Sequence, residues 1–268
     1  KGRVTQPSRG VYDIRLNPDS LLLNYERWTV SADNVLTISD TEIKASNFVL
    51  QNGSQRLSLN STESNSMEVS FDSFRVATIT GFIKSDSILV DGVMNGTVSL
   101  KDIMQKPGFT SDLTINDFSM KQDTIGNVRL QVSSGANGRY DINTATITGR
   151  GNDVSITGYF TPTVDNVNLN LDLDIRQLQL NTIEGALANA IYNASGAVNG
   201  KVSIRGTTSD PDVNGNVNFD NASFALSAFG SQFRVDNEKI RVTSDGFVFD
   251  NFTIRDSTDN TLNIDGTV

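Results

Sequence analysis

Residues Val167–Arg176, which read VNLNLDLDIR, indicate the fold class. Apolar and polar residues alternate through it without a break, and successive side chains of a β-strand point to opposite faces of its sheet. One face is therefore aliphatic, and the other carries amides, carboxylates and a guanidinium group. A sheet with one dry and one wet face predicts antiparallel pairing and an all-β fold.

Shorter runs of the same kind extend the dry face to other strands. We predict a continuous hydrophobic groove lined by Leu113, Ile115, Val154, Ile156, Val167, Leu169, Leu171, Leu173, Ile175, Val202, Ile204, Val213, Val217, Phe219, Phe224, Phe252, Ile254, Leu262 and Ile264. Large exposed apolar patches usually mark a site for something apolar. The alternation alone also fits a closed sandwich core without a ligand, so both interpretations stay open at this point.

One segment breaks the two-residue period. Within 181–193, apolar residues recur at four-residue spacing, and Asn181 followed by Glu184 has the form of a capping box. This pattern predicts a short amphipathic helix that lays its apolar face on the sheet. That face comprises Ile183, Leu187 and Ile191.

The chain repeats itself at a shift of 104 residues, where GVMNGTVSL at 92–100 lies on GAVNGKVSI at 196–204. Repeated strands that cannot bury a face alone predict a stacked, elongated structure. We accordingly expect an N-terminal β segment over 1–87, a first β repeat module over 88–176, and a helix with a second β repeat module over 177–268. All three are expected to form one elongated sheet.

Composition removes several classes of function. The chain has no histidine and no cysteine, which excludes imidazole acid-base chemistry and structural zinc sites built on those side chains. A net charge of −9 with scattered lysines and arginines is wrong for binding nucleic acid. We predict no catalytic residue, no cofactor and no metal, although the turn Asp256–Asn260 has a composition that calcium ligands share.

Two further features have both a functional and a structural interpretation. Asp172 and Asp174 share the wet face and would suit the paired carboxylates of a glycosidase, whereas a solvated strand face explains them equally simply. Trp28 would suit stacking on a sugar, but a single tryptophan in an alternating run is typical of a core residue. The structural interpretation is the prediction in both cases.

The segment GAVNGKVSIRGTTSDPDVNGNVNFDNASF at 196–224 carries a family resemblance. Glycines flank its short strands, Gly206, Pro211 and Gly215 follow at fixed spacing, and an alternating strand ends in an aromatic residue. This arrangement resembles the strand-turn repeat of AsmA-like proteins, and in particular of the TamB family of translocation and assembly module subunits. The resemblance covers 88–268 well and 1–87 loosely.

The resemblance implies a long curved sheet folded like a taco, with an apolar interior. It implies a periplasmic protein that is anchored in the inner membrane by an N-terminal helix. That helix is not in this sequence, which begins with Lys1 and which we interpret as a fragment of a longer protein. Implied partners are phospholipid and an outer-membrane barrel of the Omp85 type, similar to TamA. Implied roles are phospholipid transport between membranes and outer-membrane protein assembly, the latter with the strand at 262–268 as a docking edge.

A different class of function remains as the alternative. The same alternation fits a structural or adhesive β-solenoid of a surface protein, with a dry interior and its function on the polar outer face. A β-helical carbohydrate enzyme is a third hypothesis, and it would need Asp172 for activity. The groove predicts lipid contact at the dry face, which the two other classes do not.

Overall fold

The computed structural model describes residues 2–19, 21–23, 25–63, 65–80, 90–105, 108–121, 123–135, 138–185, 190–228 and 230–268. Contacts divide the chain into two compact units. Unit 1 comprises Lys1–Asn116 and Leu130–Ser134, and unit 2 comprises Asp117–Arg129 and Gly135–Val268. The predicted division at 87 and 176 stays a prediction.

Unit 1 is built from short antiparallel strands. Its elements are β1 (Gly2–Ser8), β2 (Val11–Leu16), β3 (Leu21–Leu23), β4 (Glu26–Val30), β5 (Val35–Ser39), β6 (Ile43–Ser46), β7 (Phe48–Asn52), β8 (Gln55–Glu63), β9 (Ser66–Arg75), the helix α1 (Val76–Thr80) and β10 (Val90–Lys101). Strands β1, β2, β5 and β6 form a four-stranded sheet. Strands β11 (Gly108–Met120) and β12 (Asp123–Ser134) contribute residues to both units.

The core of unit 1 forms around Trp28, which is 1% exposed. The Trp28 ring packs against Phe74, with ring centroids 5.6 Å apart. Leu113 and Ile115, two residues of the predicted groove, pack against this same cluster. The structural interpretation of Trp28 is therefore confirmed.

Unit 2 continues with longer strands. They are β13 (Tyr140–Gly149), β14 (Asn152–Pro162), β15 (Val167–Gln179), β16 (Ile191–Thr207), β17 (Pro211–Leu226), β18 (Ser231–Val235), β19 (Lys239–Thr243), β20 (Gly246–Asp256) and β21 (Thr261–Thr267). From β13 to β17 each strand pairs antiparallel with the next, and β17 pairs with both β18 and β19. Seventeen of the strands that the structure describes belong to one antiparallel sheet, so the all-β prediction is confirmed.

The predicted helix over 181–193 is wrong where the structure describes it. Only a single 3-10 turn forms, at Leu180–Thr182, and β16 already begins at Ile191, which is paired with Leu226. The Glu184 carboxylate accepts a hydrogen bond from the backbone N–H of Ala194 instead of closing a capping box. Strand pairing has overridden the local four-residue period. Leu187 lies outside the described residues.

A buried amide holds the 3-10 turn on the sheet. The Asn152 side chain is 4% exposed, and its Nδ2 donates to the Ile125 carbonyl at 2.6 Å and to Thr182 Oγ1 at 3.0 Å. Its Oδ1 accepts from the backbone N–H of Gln179 at 2.7 Å. A buried amide with its partners in place fixes one local geometry, because each lost partner would leave a polar group unpaired.

The 104-residue repeat appears as a repeated close contact between strands. A Cβ atom added at Gly96 would lie 2.1 Å from the carbonyl oxygen of Asp112, and one added at Gly200 would lie 2.0 Å from that of Asn216. The two glycines are 104 residues apart in the sequence, and so are their contact partners Asp112 and Asn216. Only glycine allows the neighbouring backbone this close, which explains why the repeat preserves it.

Candidate functional site

The dry face of β14 to β17 is the part of unit 2 where apolar side chains lie in register across four strands. Gly158, Leu171, Ile204 and Val213 form one row, in which each residue is paired with the next. The rows on either side follow the same pairing. They are Ile156, Leu173, Val202 and Gly215 on one side, and Phe160, Leu169, Gly206 and Pro211 on the other.

We call the large apolar side chains of these three rows the apolar strip. Its members are Ile156, Phe160, Leu169, Leu171, Leu173, Val202, Ile204 and Val213, and every one of them is half-buried. None belongs to either of the two core clusters that the described residues form. Three strand spacings make the strip roughly 14 Å wide.

The rest of the predicted lining in unit 2 divides between a sealed core and the surface. Phe252 is 4% exposed and Ile254 8% exposed, and both belong to a core cluster centred on Val235 and Ala222. Five more of the predicted residues are half-buried around that cluster or beside it. They are Val217, Phe219, Phe224 and Ile264, which pack against the cluster, and Ile175, which is paired with Val154.

The remaining positions of the predicted lining in unit 2 range from buried to exposed. Val154 is buried, whereas Leu262 on β21 is 56% exposed. Val167 is half-buried and paired with Pro162 at the end of β14. From the predicted helix, Ile183 and Ile191 do pack against the core cluster, although no helix presents them.

Sequence reasoning missed an aromatic pair at the end of the strip. Tyr140 and Phe160 are paired across β13 and β14, with ring centroids 5.2 Å apart. The signal was present, because Phe160 continues the alternation of Val154 and Ile156. Gly158 interrupted that run and hid its last member.

The wet face of the same strands carries ion pairs. Arg205 Nη2 lies 2.7 Å from Asp172 Oδ1, and Arg176 Nε donates to Asp153 Oδ2 at 2.6 Å. The hydrogen bond from Arg176 lowers the pKa of Asp153 from its ordinary value. These pairs are solvent-exposed, so they contribute little to stability and mark the face as solvated. Asp172 is thus tied to an arginine on the neighbouring strand.

The Asp256 turn uses its carboxylate internally. Asp256 Oδ1 accepts from the backbone N–H of Thr258 at 2.8 Å and of Asn260 at 2.9 Å, and Oδ2 accepts from Asn260 Nδ2 at 2.9 Å. Hydrogen bonds from Asn260 and Thr258 lower the pKa of Asp256 to about 2. Among the described residues, no group of three or more carboxylates could hold a metal ion.

No helix among the described residues is long and apolar enough to cross a bilayer.

Residues 143–245 match the family model of TamB, described as the TamB C-terminal domain. The matched range contains the whole apolar strip and the wet face behind it. No curated protein and no solved structure matches the chain.

Proposed function

We propose that this chain is a segment of a TamB-family protein, as the match of residues 143–245 to the TamB C-terminal domain supports, and that its apolar strip binds the acyl chains of phospholipid. The family belongs to the cell envelope and is not known for enzymatic activity. The observation that carries the proposal is the half-burial of all eight strip residues beside a core cluster that buries its own members fully. The function would be phospholipid transport between the inner and outer membranes, in the periplasm.

The strip supports binding that is favourable but not specific. Its members are aliphatic or aromatic, and apolar contact has no preferred direction. An acyl chain gains about 0.8 kcal/mol for each methylene it buries. Six buried methylenes would therefore contribute on the order of 5 kcal/mol. Because the rows repeat along the strands, a chain can shift from one row to the next without losing its contacts.

Lipid suits the strip better than an unfolded polypeptide does. The backbone groups of β14 to β17 are already paired with neighbouring strands over most of their length. A polypeptide lying on the dry face would find no backbone partner there, and its own N–H and C=O groups would lose water without compensation. An acyl chain has no such groups. Assistance to outer-membrane protein assembly, with a TamA-like barrel as partner, therefore belongs to other surfaces of the protein.

Site-specific crosslinking tests the proposal. A photoreactive amino acid is placed at Leu171, at Asp172 or at Phe252, and the protein is illuminated with vesicles of phosphatidylethanolamine and phosphatidylglycerol. We expect lipid adducts at Leu171, because it lies in the strip, and none at Asp172 on the opposite face. Phe252 is the matched apolar control, because it lies in the sealed core. Equal labelling at Leu171 and Asp172, or none at Leu171, would overturn the proposal.

A further inference from the structure

The wet face of unit 2 contains two adjoining depressions of about 480 and 470 Å³. The first lies over β14 to β17, and the second lies over β15, β16, β17 and β19. Both are bordered by Asp174 and Lys201, so they form one continuous concave surface. We call this surface the polar saddle. Its polar side chains alternate along the strands with those of the apolar strip, so they point to the opposite side of the sheet. The strip residues Leu173 and Val202 also border the first depression.

The polar saddle contains two lysines, Lys201 and Lys239, of which Lys201 lies directly opposite Asp174 in the strand register. Within the described part of the chain, neither Lys201 nor Lys239 makes an ion pair or a side-chain hydrogen bond. Arg176, which also borders the saddle, is paired with Asp153, and the bordering Asp172 is paired with Arg205. Two unpaired ammonium groups are notable in a chain whose net charge is −9.

The strand register sets the distance between the two lysines. Lys201 on β16 is paired with Asn216 on β17, and Lys239 on β19 is paired with Asn218 two residues further along β17. Two strand spacings and a two-residue offset place their Cα atoms roughly 12 Å apart. A ligand that meets both must therefore be extended and must carry more than one negative group.

Between the lysines the surface offers neutral hydrogen-bonding groups. Asn216 and Asn218 lie there on β17, and Ser155, Thr157 and Ser203 border the first depression. Amides and hydroxyls both donate and accept, which suits the hydroxyl groups of a sugar. The single unpaired carboxylate, Asp174, can accept from a sugar hydroxyl but would repel a second anion.

From these contacts we propose that the polar saddle binds an acidic polysaccharide. Lys201 and Lys239 would each meet an anionic group of the glycan, and the asparagine, serine and threonine side chains between them would meet its hydroxyls. This site is separate from the lipid site and does not depend on it. The protein would thereby present one face to acyl chains and the opposite face to a charged glycan.

Titration of the full chain with a defined glycan tests the proposal. The probe is an oligogalacturonate of six sugars, and binding is followed by backbone amide shifts at 201, 216 and 239 in nuclear magnetic resonance spectra. We expect saturable shifts at these positions with a Kd of roughly millimolar or tighter. The fully methyl-esterified oligomer has the same backbone without charge and should bind at least about tenfold more weakly. Equal binding of the neutral oligomer would overturn the proposal.

Two further comparisons distinguish a specific glycan-binding site from nonspecific electrostatic binding of anions. Lys201→Met with Lys239→Met should weaken binding about tenfold or more, whereas Lys44→Met with Lys101→Met, two exposed lysines of unit 1, should leave it unchanged. Poly-L-glutamate of equal charge should bind more weakly than the oligogalacturonate, because it lacks hydroxyls. Equal loss in both double variants, or equal binding of poly-L-glutamate, would contradict a glycan site. Lipid crosslinking at Leu171 should persist in both variants.

Discussion

Gly200 lies so close to Asn216 that a Cβ atom at position 200 would come within 2.0 Å of the Asn216 carbonyl oxygen. No real Cβ atom makes such a contact, so the paired strands β16 and β17 could accept a side chain there only by moving apart. These two strands carry three of the eight residues of the apolar strip, namely Val202, Ile204 and Val213, and much of the polar saddle. The glycine of the repeat therefore maintains the geometry of both proposed sites.

Gly200→Ala should destabilise unit 2 by about 2 kcal/mol or more, because the added methyl group overlaps backbone and cannot rotate away. Chemical denaturation monitored by circular dichroism measures the change. Gly53→Ala is the matched control, since Gly53 also has a positive φ, +57°, but has nothing within 4 Å of an added Cβ. That variant should lose only about 1 kcal/mol, from the backbone conformation alone. Equal losses would show that the close contact is unimportant.

Truncation of apolar side chains should separate the strip from the sealed core. Phe252→Ala should cost about 3–5 kcal/mol, because it opens a cavity in a fully buried cluster. Leu171→Ala should cost roughly 1 kcal/mol, since a half-buried side chain loses less contact with protein and leaves no enclosed cavity. Equilibrium unfolding in urea gives both values. A loss at Leu171 as large as that at Phe252 would mean that the strip is closed.

The Asp256 turn should give a measurable dependence on pH. Its carboxyl has a pKa of about 2 in the folded protein and an ordinary value of 3.8 without its hydrogen bonds. A lowered folded pKa means that the turn stabilises the fold fully above about pH 4 and loses that contribution as the pH falls through about 2. The difference in unfolding free energy between wild type and Asp256→Ala should therefore shrink between pH 5 and pH 2.

Direct titration provides the check on this assignment. The carboxyl carbon of Asp256, observed by nuclear magnetic resonance, should titrate with a midpoint near 2. A midpoint near the ordinary value would show that the bonds from Thr258 and Asn260 do not persist in solution. The stability difference would then stay constant over the acid range.

The sequence was sufficient for those parts of the fold that depend on side-chain alternation. Leu171 and Asp172 do face opposite sides, because the two-residue period is a property of any strand. The repeat likewise located Gly96 and Gly200 at equivalent contacts. Both features are local, or shared by two copies, so a pattern within one chain reveals them.

Features that depend on pairing between distant residues could not be predicted in the same way. Ile191 fits a helical period locally, but its partner Leu226 lies 35 positions away and draws it into a strand. For the same reason the predicted lining did not separate Phe252, in the sealed core, from Leu171, in the strip. The surroundings of Lys201, which lies between Asp174 on β15 and Asn216 on β17, became visible only once the strand pairing was known.

Native mass spectrometry of gently purified protein tests the lipid proposal most directly. We expect that wild-type protein retains bound phospholipid, that Leu171→Asp remains folded but loses the lipid, and that Asp172→Asn retains it. Wild-type protein free of lipid, or lipid retained by Leu171→Asp, would contradict lipid binding by the apolar strip. So would unfolding of Leu171→Asp, because a charge at that position is tolerated only where the side chain can reach solvent.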